Sequence, residues 1–379
     1  MEIQLKEVTN RRELRKFILF PQSLYRGNSC YVPSLYMDES NTLRWDKNPA
    51  FKDCQVKYWL AYREGKIVGR VAAILPGKFY EKWGKRYLRF GWLDFIDDPA
   101  VSAALLKAVE DWARAEGMEA VHGPLGFTDL DREGMLVEGF DELGTMATNY
   151  NHPYYPRHLE ALGYTKDTDW LEYEMTVPSQ PDEKIAKAAE LVMKRYQLHV
   201  LPAKTKNDFL PYAHDIFSLL EEAYRHLYGV MPLSQAQVQA YIDQYFGLAI
   251  PEYVPLVLDA ENKLVAFGVV FPSFSHALQK SHGQLFPLGF VYLLQALKNN
   301  ERADLYLIGV KDEYLGKGVN AILMNQIMNA FIRNGVKKVE SNPELETNAN
   351  VQSQWKYFER RQHKRRRCFI KPLTAEKID

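Results

Sequence analysis

"GVKDEYLGKGVNAILMNQIMNAFIRNG", residues 309–335, places Gly316 and Gly318 around Lys317, between an apolar strand and an amphipathic helix. Val319, Ile322, Leu323, Ile327, Ala330 and Phe331 follow the 3, 4 spacing of a buried helix face, and Gly335 is a natural stop. The first N–H groups of a helix lack partners within it and lie at the positive end of its dipole, so this junction suits an anion. Without Cβ atoms at Gly316 and Gly318 the backbone can approach such an anion closely, and Lys317 adds a positive charge. A bare turn into a helix can have the same glycines, so the rest of the chain has to decide between the two readings.

The chain repeats itself. YWLAYREGKIVGRVAAIL (58–75) and VPLVLDAENKLVAFGVVF (254–271) each read as strand, polar turn and strand, a hairpin in either half. After each hairpin come strand, helix, glycine and strand. In the first half these are LRFGWLDFI, a helix from Pro99 to Glu116, Gly117 and MEAVHG; in the second, ADLYLIGV, a helix from Val319 to Asn334, Gly335 and VKKVES. The proline-bearing run TVPSQPDEKIAKAAE places a boundary near residue 178, giving domains 1–178 and 179–379. The fold class is α/β, with each half a mixed, mostly antiparallel sheet flanked by helices.

At the strand-to-helix junction the halves differ. The first reads Phe95-Ile96-Asp97-Asp98-Pro99, in which Asp98 is a good N-cap and Pro99 a good first helical residue. That helix satisfies its own N-terminus, and its two carboxylates repel a phosphate. The second junction has glycines and a lysine instead.

Length and composition fit this picture. A chain of 379 residues with 46% hydrophobic content is enough for two domain cores. The 48 basic residues balance 48 acidic ones, which argues against a surface tuned throughout to nucleic acid or an anionic membrane. Cys30, Cys54 and Cys368 form no CxxC pair, and the nine histidines form no HxH or HExxH, so no metal site is expected. There is no GxSxG elbow. The N-terminus has no secretory apolar core, and the apolar stretch Leu285 to Leu297 is too short to span a bilayer. A cytoplasmic protein without a membrane span is the expectation.

Strand, LGKGVNAILMN, helix, glycine and strand is similar to the acyl-CoA-binding core of the GNAT acyltransferase superfamily. In that family the loop Q/R-x-x-G-x-G/A holds the CoA pyrophosphate on backbone amides. Leu315 stands at the Q/R position, Gly318 at the first glycine and Asn320 at the final G/A, so only the glycine matches strictly. The resemblance implies a cofactor site of Leu315, Gly316, Lys317, Gly318, Val319 and Asn320. It adds backbone at Ile308, Gly309 and Val310 on a splayed strand, where Gly309 would suit a bulge, and Asn348 facing CoA. The family's second landmark, a helix ending Y-E-K-x-G-F before the last strand, is Leu159-Glu160-Ala161-Leu162-Gly163-Tyr164 in the first half and Phe358 to His363 in the second. The tyrosine that often serves as general acid is Leu159 in one and Phe358 in the other.

The implied reaction is N-acyl transfer from acetyl-CoA or another acyl-CoA to a small amine or amino-acid-like acceptor bound where the domains meet. Candidate catalytic residues are Glu340 as base, with Glu344 just beyond it, and Tyr357 as acid. Asn342, Asn348 and Asn350 lie in a loop whose turn chemistry accounts for them equally well. Asn151, Tyr154 and Tyr155 close a long glycine-rich connection, 122–155, and are the candidate acceptor contacts. Residues 271–300 form an aromatic-rich insertion, read either as a wall for a bulky acyl chain or as a helical layer. Eight Lys or Arg residues between 356 and 371 read as a solvated basic face, a contact for the CoA 3′-phosphate, or an RNA contact. Two rival readings are a non-catalytic binder of CoA or a metabolite and, less favoured, a tRNA-dependent transferase like the paired Fem-type enzymes. Their coiled-coil insertion is missing here, so nucleic acid is not the expected partner. No surface pattern selects an oligomeric state.

Overall fold

The computed structural model describes residues 2–355 and 358–373. Along the chain the strands are β1 (Gln4–Glu7), β2 (Cys54–Arg63), β3 (Lys66–Pro76), β4 (Tyr87–Phe95), β5 (Ala120–Gly123), β6 (Met135–Glu138) and β7 (Thr165–Thr176). Then come β8 (His199–Val200), β9 (Leu256–Leu258), β10 (Leu264–Pro272), β11 (Arg302–Val310), β12 (Lys338–Ser341), β13 (Glu344–Leu345) and β14 (Arg360–Pro372).

Both hairpins form where the sequence places them. β2 pairs with β3 through Glu64 and Gly65, both with positive φ, and β9 pairs with β10 around Asn262 at φ 61°. In the first unit β3 pairs antiparallel with β4, which pairs parallel with β5. In the second, β10 pairs antiparallel with β11, which pairs parallel with β12. A parallel pair requires a crossover helix. The helices Pro99–Ala115 and Val319–Arg333 supply it, and each buries the face its periodicity marks out. Each such apolar side chain contributes about 1.5–3 kcal/mol on leaving water. Both helices stop at a glycine, Gly117 (φ 68°) and Gly335 (φ 70°), after which Met118 N–H reaches back to Ala113 O and Val336 N–H to Phe331 O.

The division of the chain differs from a single cut near residue 178. The two compact units are discontinuous: one holds the chain to Leu171, Ser275–Tyr292 and the stretch from His363, and the other holds Glu172–Phe274 and Leu293–Gln362. The strand that pairs with β5 and the strand that pairs with β12 therefore each come from the other half of the sequence. In the first unit β5 pairs antiparallel with β14, Ile370 opposite His122. In the second, β12 pairs antiparallel with the end of β7, Val339 opposite Met175.

This strand assignment also changes the reading of the basic run. Lys364 and Arg366 are buried in β14, where Lys364 Nζ donates to Leu143 O at 3.1 Å and Arg366 Nη1 to Asn149 O at 2.5 Å. Arg365 and Arg367 both reach the buried carboxylate of Asp169. A solvated cationic face would leave these groups to water; here the first unit uses them to neutralise and hold itself.

The insertion is helical, with helices at Ser275–Ser281 and Gly289–Lys298. Its first helix is fastened within the first unit: Ser275 Oγ donates to Gly144 O, and Gln279 Nε2 to the carbonyls of Ser29 and Tyr31. No helix among the described residues is long and apolar enough to cross a membrane.

Candidate active site

The second unit brings three features together. The first is the junction at Leu315–Asn320. Gly316 and Gly318 have φ of 72° and 82°, and Gly318 is the N-cap of the helix Val319–Arg333 without any side-chain cap. The N–H groups of Gly318, Val319 and Asn320 find no acceptor among the described residues. Asn320 Oδ1 is buried and also has no hydrogen-bond partner among the described residues. Lys317 is exposed at the loop tip, its ammonium 5.3 Å from the ring of Tyr196 and 5.2 Å from that of Tyr314. Leu315 is exposed too. An uncapped helix start, two left-handed glycines and a cation fit a phosphate-bearing ligand.

The second feature is the splay of β11 from β12. Their parallel register runs from Arg302 opposite Lys338 to Leu305 opposite Ser341, and Asn342 N–H then donates to Leu305 O at 3.1 Å. Beyond that point Tyr306–Val310 has lost β12 as a partner. A bulge begins the splay: Val269 is opposite Leu307 and Val270 opposite Leu305, leaving Tyr306 as the extra residue. The bulge is thus at Tyr306 and not at Gly309, which lies in regular pairing with Phe267. A Cβ on Gly309 would come within 2.5 Å of that ring, so tight packing explains this glycine. Asn342 Nδ2 donates to Tyr306 O at 3.2 Å and secures the bulge. Ile308 is half-buried and its backbone meets Tyr224, whose hydroxyl lies 3.4 Å from Ile308 N and donates to Ile308 O at 3.2 Å. Gly309 and Val310 are buried.

The third feature is an acid just past the splay. Glu344 Oε1 accepts from the indole N–H of buried Trp355 at 2.6 Å, while Oε2 is buried without a hydrogen-bond partner among the described residues. Burial pushes this carboxyl up to about 7, against the pull of Trp355 and Ser341 towards the ionised form. Glu340 is fully buried in β12, opposite Asp304 on one side and Glu174 on the other. A carboxyl held near 7, as that of Glu344 is, can exchange a proton near neutral pH.

The remaining candidate residues are placed as follows. Tyr357 lies outside the described residues. Asn348 Oδ1 accepts from Val351 N–H at 3.4 Å, at the start of the helix Ala349–Gln354. That helix ends before Phe358, so Phe358 is not on the helix of the second landmark. Asn151, Tyr154 and Tyr155 belong to the first unit and hold its backbone. The Asn151 amide accepts from Leu136 N–H and donates to Leu136 O, Tyr154 donates to Phe95 O, and Tyr155 accepts from Phe95 N–H at 2.9 Å. Nothing in the residue types around Tyr224 marked it out. It comes from a separate helix, Ala213–Tyr224, and reaches β11 only through the fold. The proton affinity of Glu344 was equally hidden, because it depends on burial that only the folded chain supplies.

No family model matches the chain. It is 29% identical over 371 residues to Protein YghO of Escherichia coli (strain K12), a match covering 96% of this chain and 94% of that one. It is 25% identical over 316 residues to a bacterial ceramide synthase of Caulobacter vibrioides (strain NA1000 / CB15N), covering 80% of this chain and 79% of that one. Among solved structures, a tandem GNAT protein from the clavulanic acid biosynthesis pathway matches 99% of this chain and 100% of its own, at a TM-score of 0.56 and 14% identity. At that identity the likeness is one of fold. The chain has the GNAT fold over nearly its whole length.

Proposed function

We propose that the protein is an acyl-CoA-dependent N-acyltransferase whose second unit carries the reaction. The observation that supports this most is the uncapped junction at Gly316–Asn320 beside a strand whose backbone turns away from β12. In this reading the CoA pyrophosphate rests on the N–H groups of Gly318, Val319 and Asn320 beside Lys317. The acyl-bearing arm runs along Tyr306–Val310, where Ile308 N–H is available to the thioester oxygen once the Tyr224 hydroxyl moves aside.

The acceptor is a primary amine. Its nitrogen forms the new C–N bond as the thioester C–S bond breaks, Glu344 takes the proton the nitrogen sheds, and CoA leaves as the thiolate. The name of the Caulobacter relative supports a long-chain amino alcohol as acceptor, since a ceramide is the amide of one. Such a compound is larger than the small amine or amino-acid-like acceptor expected from the sequence and shares with it only the primary amine.

The first test is a calorimetric and thermal-shift titration with CoA and a long-chain acyl-CoA. The proteins are wild type, Lys317→Glu and Gly318→Glu. Lys317 is exposed, so its variant leaves the fold alone, whereas Gly318 has positive φ and its new Cβ would lie 3.1 Å from Val192. A ligand that binds only the folded state raises the melting temperature. Wild type is expected to bind, and both variants to lose at least about tenfold in affinity, the roughly 1.4 kcal/mol that a misplaced charge exceeds. Absence of binding to wild type, or equal binding by Lys317→Glu, removes the loop from the site and the reading with it.

A further inference from the structure

We propose that the turn and helix around Phe286–Leu294 form a docking surface for the anionic face of a lipid bilayer. Ten large apolar side chains stand out from the described surface, and four of them, Phe286, Leu288, Phe290 and Leu294, fall within nine consecutive residues. Phe286 is 74% exposed. Phe290 and Leu294 are one helical turn apart on the helix Gly289–Lys298, and Lys298 continues the same row. The rings of Phe286 and Phe290 lie 6.0 Å apart, so the turn and the helix present one apolar face.

The turn is held tightly: a Cβ on Gly289 would collide with Gln284 O. The preceding helix is tied to the first unit through Ser275 and Gln279. The apolar face is therefore displayed by a fixed frame. An exposed apolar cluster of this kind calls for a covering partner.

Charge selects that partner. From residue 262 to residue 300 the sequence has no Asp or Glu, while Lys263, Lys280 and Lys298 are present. Lys280 and Lys298 are exposed and flank the apolar cluster along the sequence, and His276 and His282 are exposed as well. Apolar side chains bordered by lysines match the boundary between headgroups and acyl chains, with the ammonium groups on anionic lipid phosphates. A second copy of the chain is a poorer fit, because a two-fold contact on this face would set the same lysines against each other. The surface goes beyond the proposed reaction, and binding to vesicles is measured without any turnover.

The test is flotation with phosphatidylcholine vesicles, with and without phosphatidylglycerol, using full-length protein. Wild type is expected to float with the phosphatidylglycerol vesicles and to be released by high salt. Phe286→Ser/Phe290→Ser is expected to lose roughly tenfold or more in partitioning. Lys280→Glu/Lys298→Glu is expected to lose the preference for anionic lipid. All four side chains are exposed, so an unchanged melting temperature shows that the variants fold. Wild type that ignores both kinds of vesicle overturns the proposal, as do variants that float like wild type. A concentration-dependent dimer that Phe286→Ser/Phe290→Ser dissolves, in protein that ignores vesicles, gives the face to a second copy and overturns it as well.

Discussion

The two strand-to-helix junctions occupy the same place in two units of the same topology, and they differ in what fills them. In the first unit Asp98 accepts from Ala100 N–H and pairs with Arg63, while Asp97 is bound by His158, whose other ring nitrogen meets Ser102. In the second, Gly318 caps nothing and Lys317 stands exposed. The splays follow the same division. Past Leu125 N–H on Phe90 O, β4 is buried at all but Trp92, and Tyr154 and Tyr155 occupy both backbone groups of Phe95. Past Asn342 N–H on Leu305 O, β11 is half-exposed through Ile308, and a single tyrosine stands there at longer range. The comparison teaches that topology alone does not make this a ligand site. At its junction and at Phe95 the first unit fills backbone groups with its own side chains, whereas the amides of Gly318, Val319 and Asn320 have no acceptor among the described residues.

The largest effect expected from breaking this difference is at Glu344. Glu344→Gln keeps the shape and removes the base, so acyl transfer should fall about 10²–10⁴-fold while CoA affinity stays unchanged. Wild-type activity should rise with pH through about 7, as Glu344 ionises. Stability should run the opposite way. A carboxyl whose folded value lies above its unfolded one binds more protons when folded, so ionisation between about pH 4.3 and 7 destabilises the fold progressively. Glu344→Gln should therefore melt higher than wild type at pH 8 and gain much less at pH 4. A variant that is inactive and no more stable at pH 8 would show that the carboxyl is not held in its buried setting.

The second effect comes from making one change in both units. Tyr155→Phe leaves Phe95 N–H buried without an acceptor and breaks the chain from Tyr155 through Tyr25 to Asp94. It should cost about 1–3 kcal/mol in chemical denaturation and leave CoA affinity alone. Tyr224→Phe gives up a long contact at a half-buried strand, so it should cost less stability and tighten acyl-CoA binding by freeing Ile308. If the two variants behave alike in both assays, the splays are equivalent and the contrast between the units is lost.

Much of this was legible in the sequence because it rests on local rules. The hairpins around Gly65 and Asn262, the two crossover helices and the cap at Asp98 all follow from periodicity, left-handed turn residues and helix-end chemistry. The exchange of last strands was not legible. β7 and β14 are both long strands with apolar positions, and nothing local says whether each pairs with β5 or with β12. KRRR at 364–367 misled for the same reason: cations read as solvated until Asp169 and the carbonyls of Leu143 and Asn149 are brought to them from far away in sequence. Of the site, the glycine loop was visible. The bulge at Tyr306, the hydroxyl of Tyr224 and the indole over Glu344 depend on long-range packing.

The smallest effect isolates the first junction. Asp98→Ala removes an N-cap and a contact with Arg63, and should cost about 0.5–2 kcal/mol. Arg63 and the N-terminal amides hold the Asp98 carboxyl below its ordinary value. Its contribution is thus present above the unfolded carboxylate value of about 3.9 and fades as pH falls through the lower folded one. Wild type and variant should therefore differ in melting temperature at pH 7 and converge in strong acid. CoA affinity is the second readout. The variant uncovers the amides at this helix start, yet it supplies neither left-handed glycines nor a lysine, and Asp97 still stands beside them. It should not acquire CoA binding. Were Asp98→Ala in a Gly318→Glu background to bind CoA, an open helix start would be sufficient by itself, and the glycines and lysine of the second junction would lose the role given to them here.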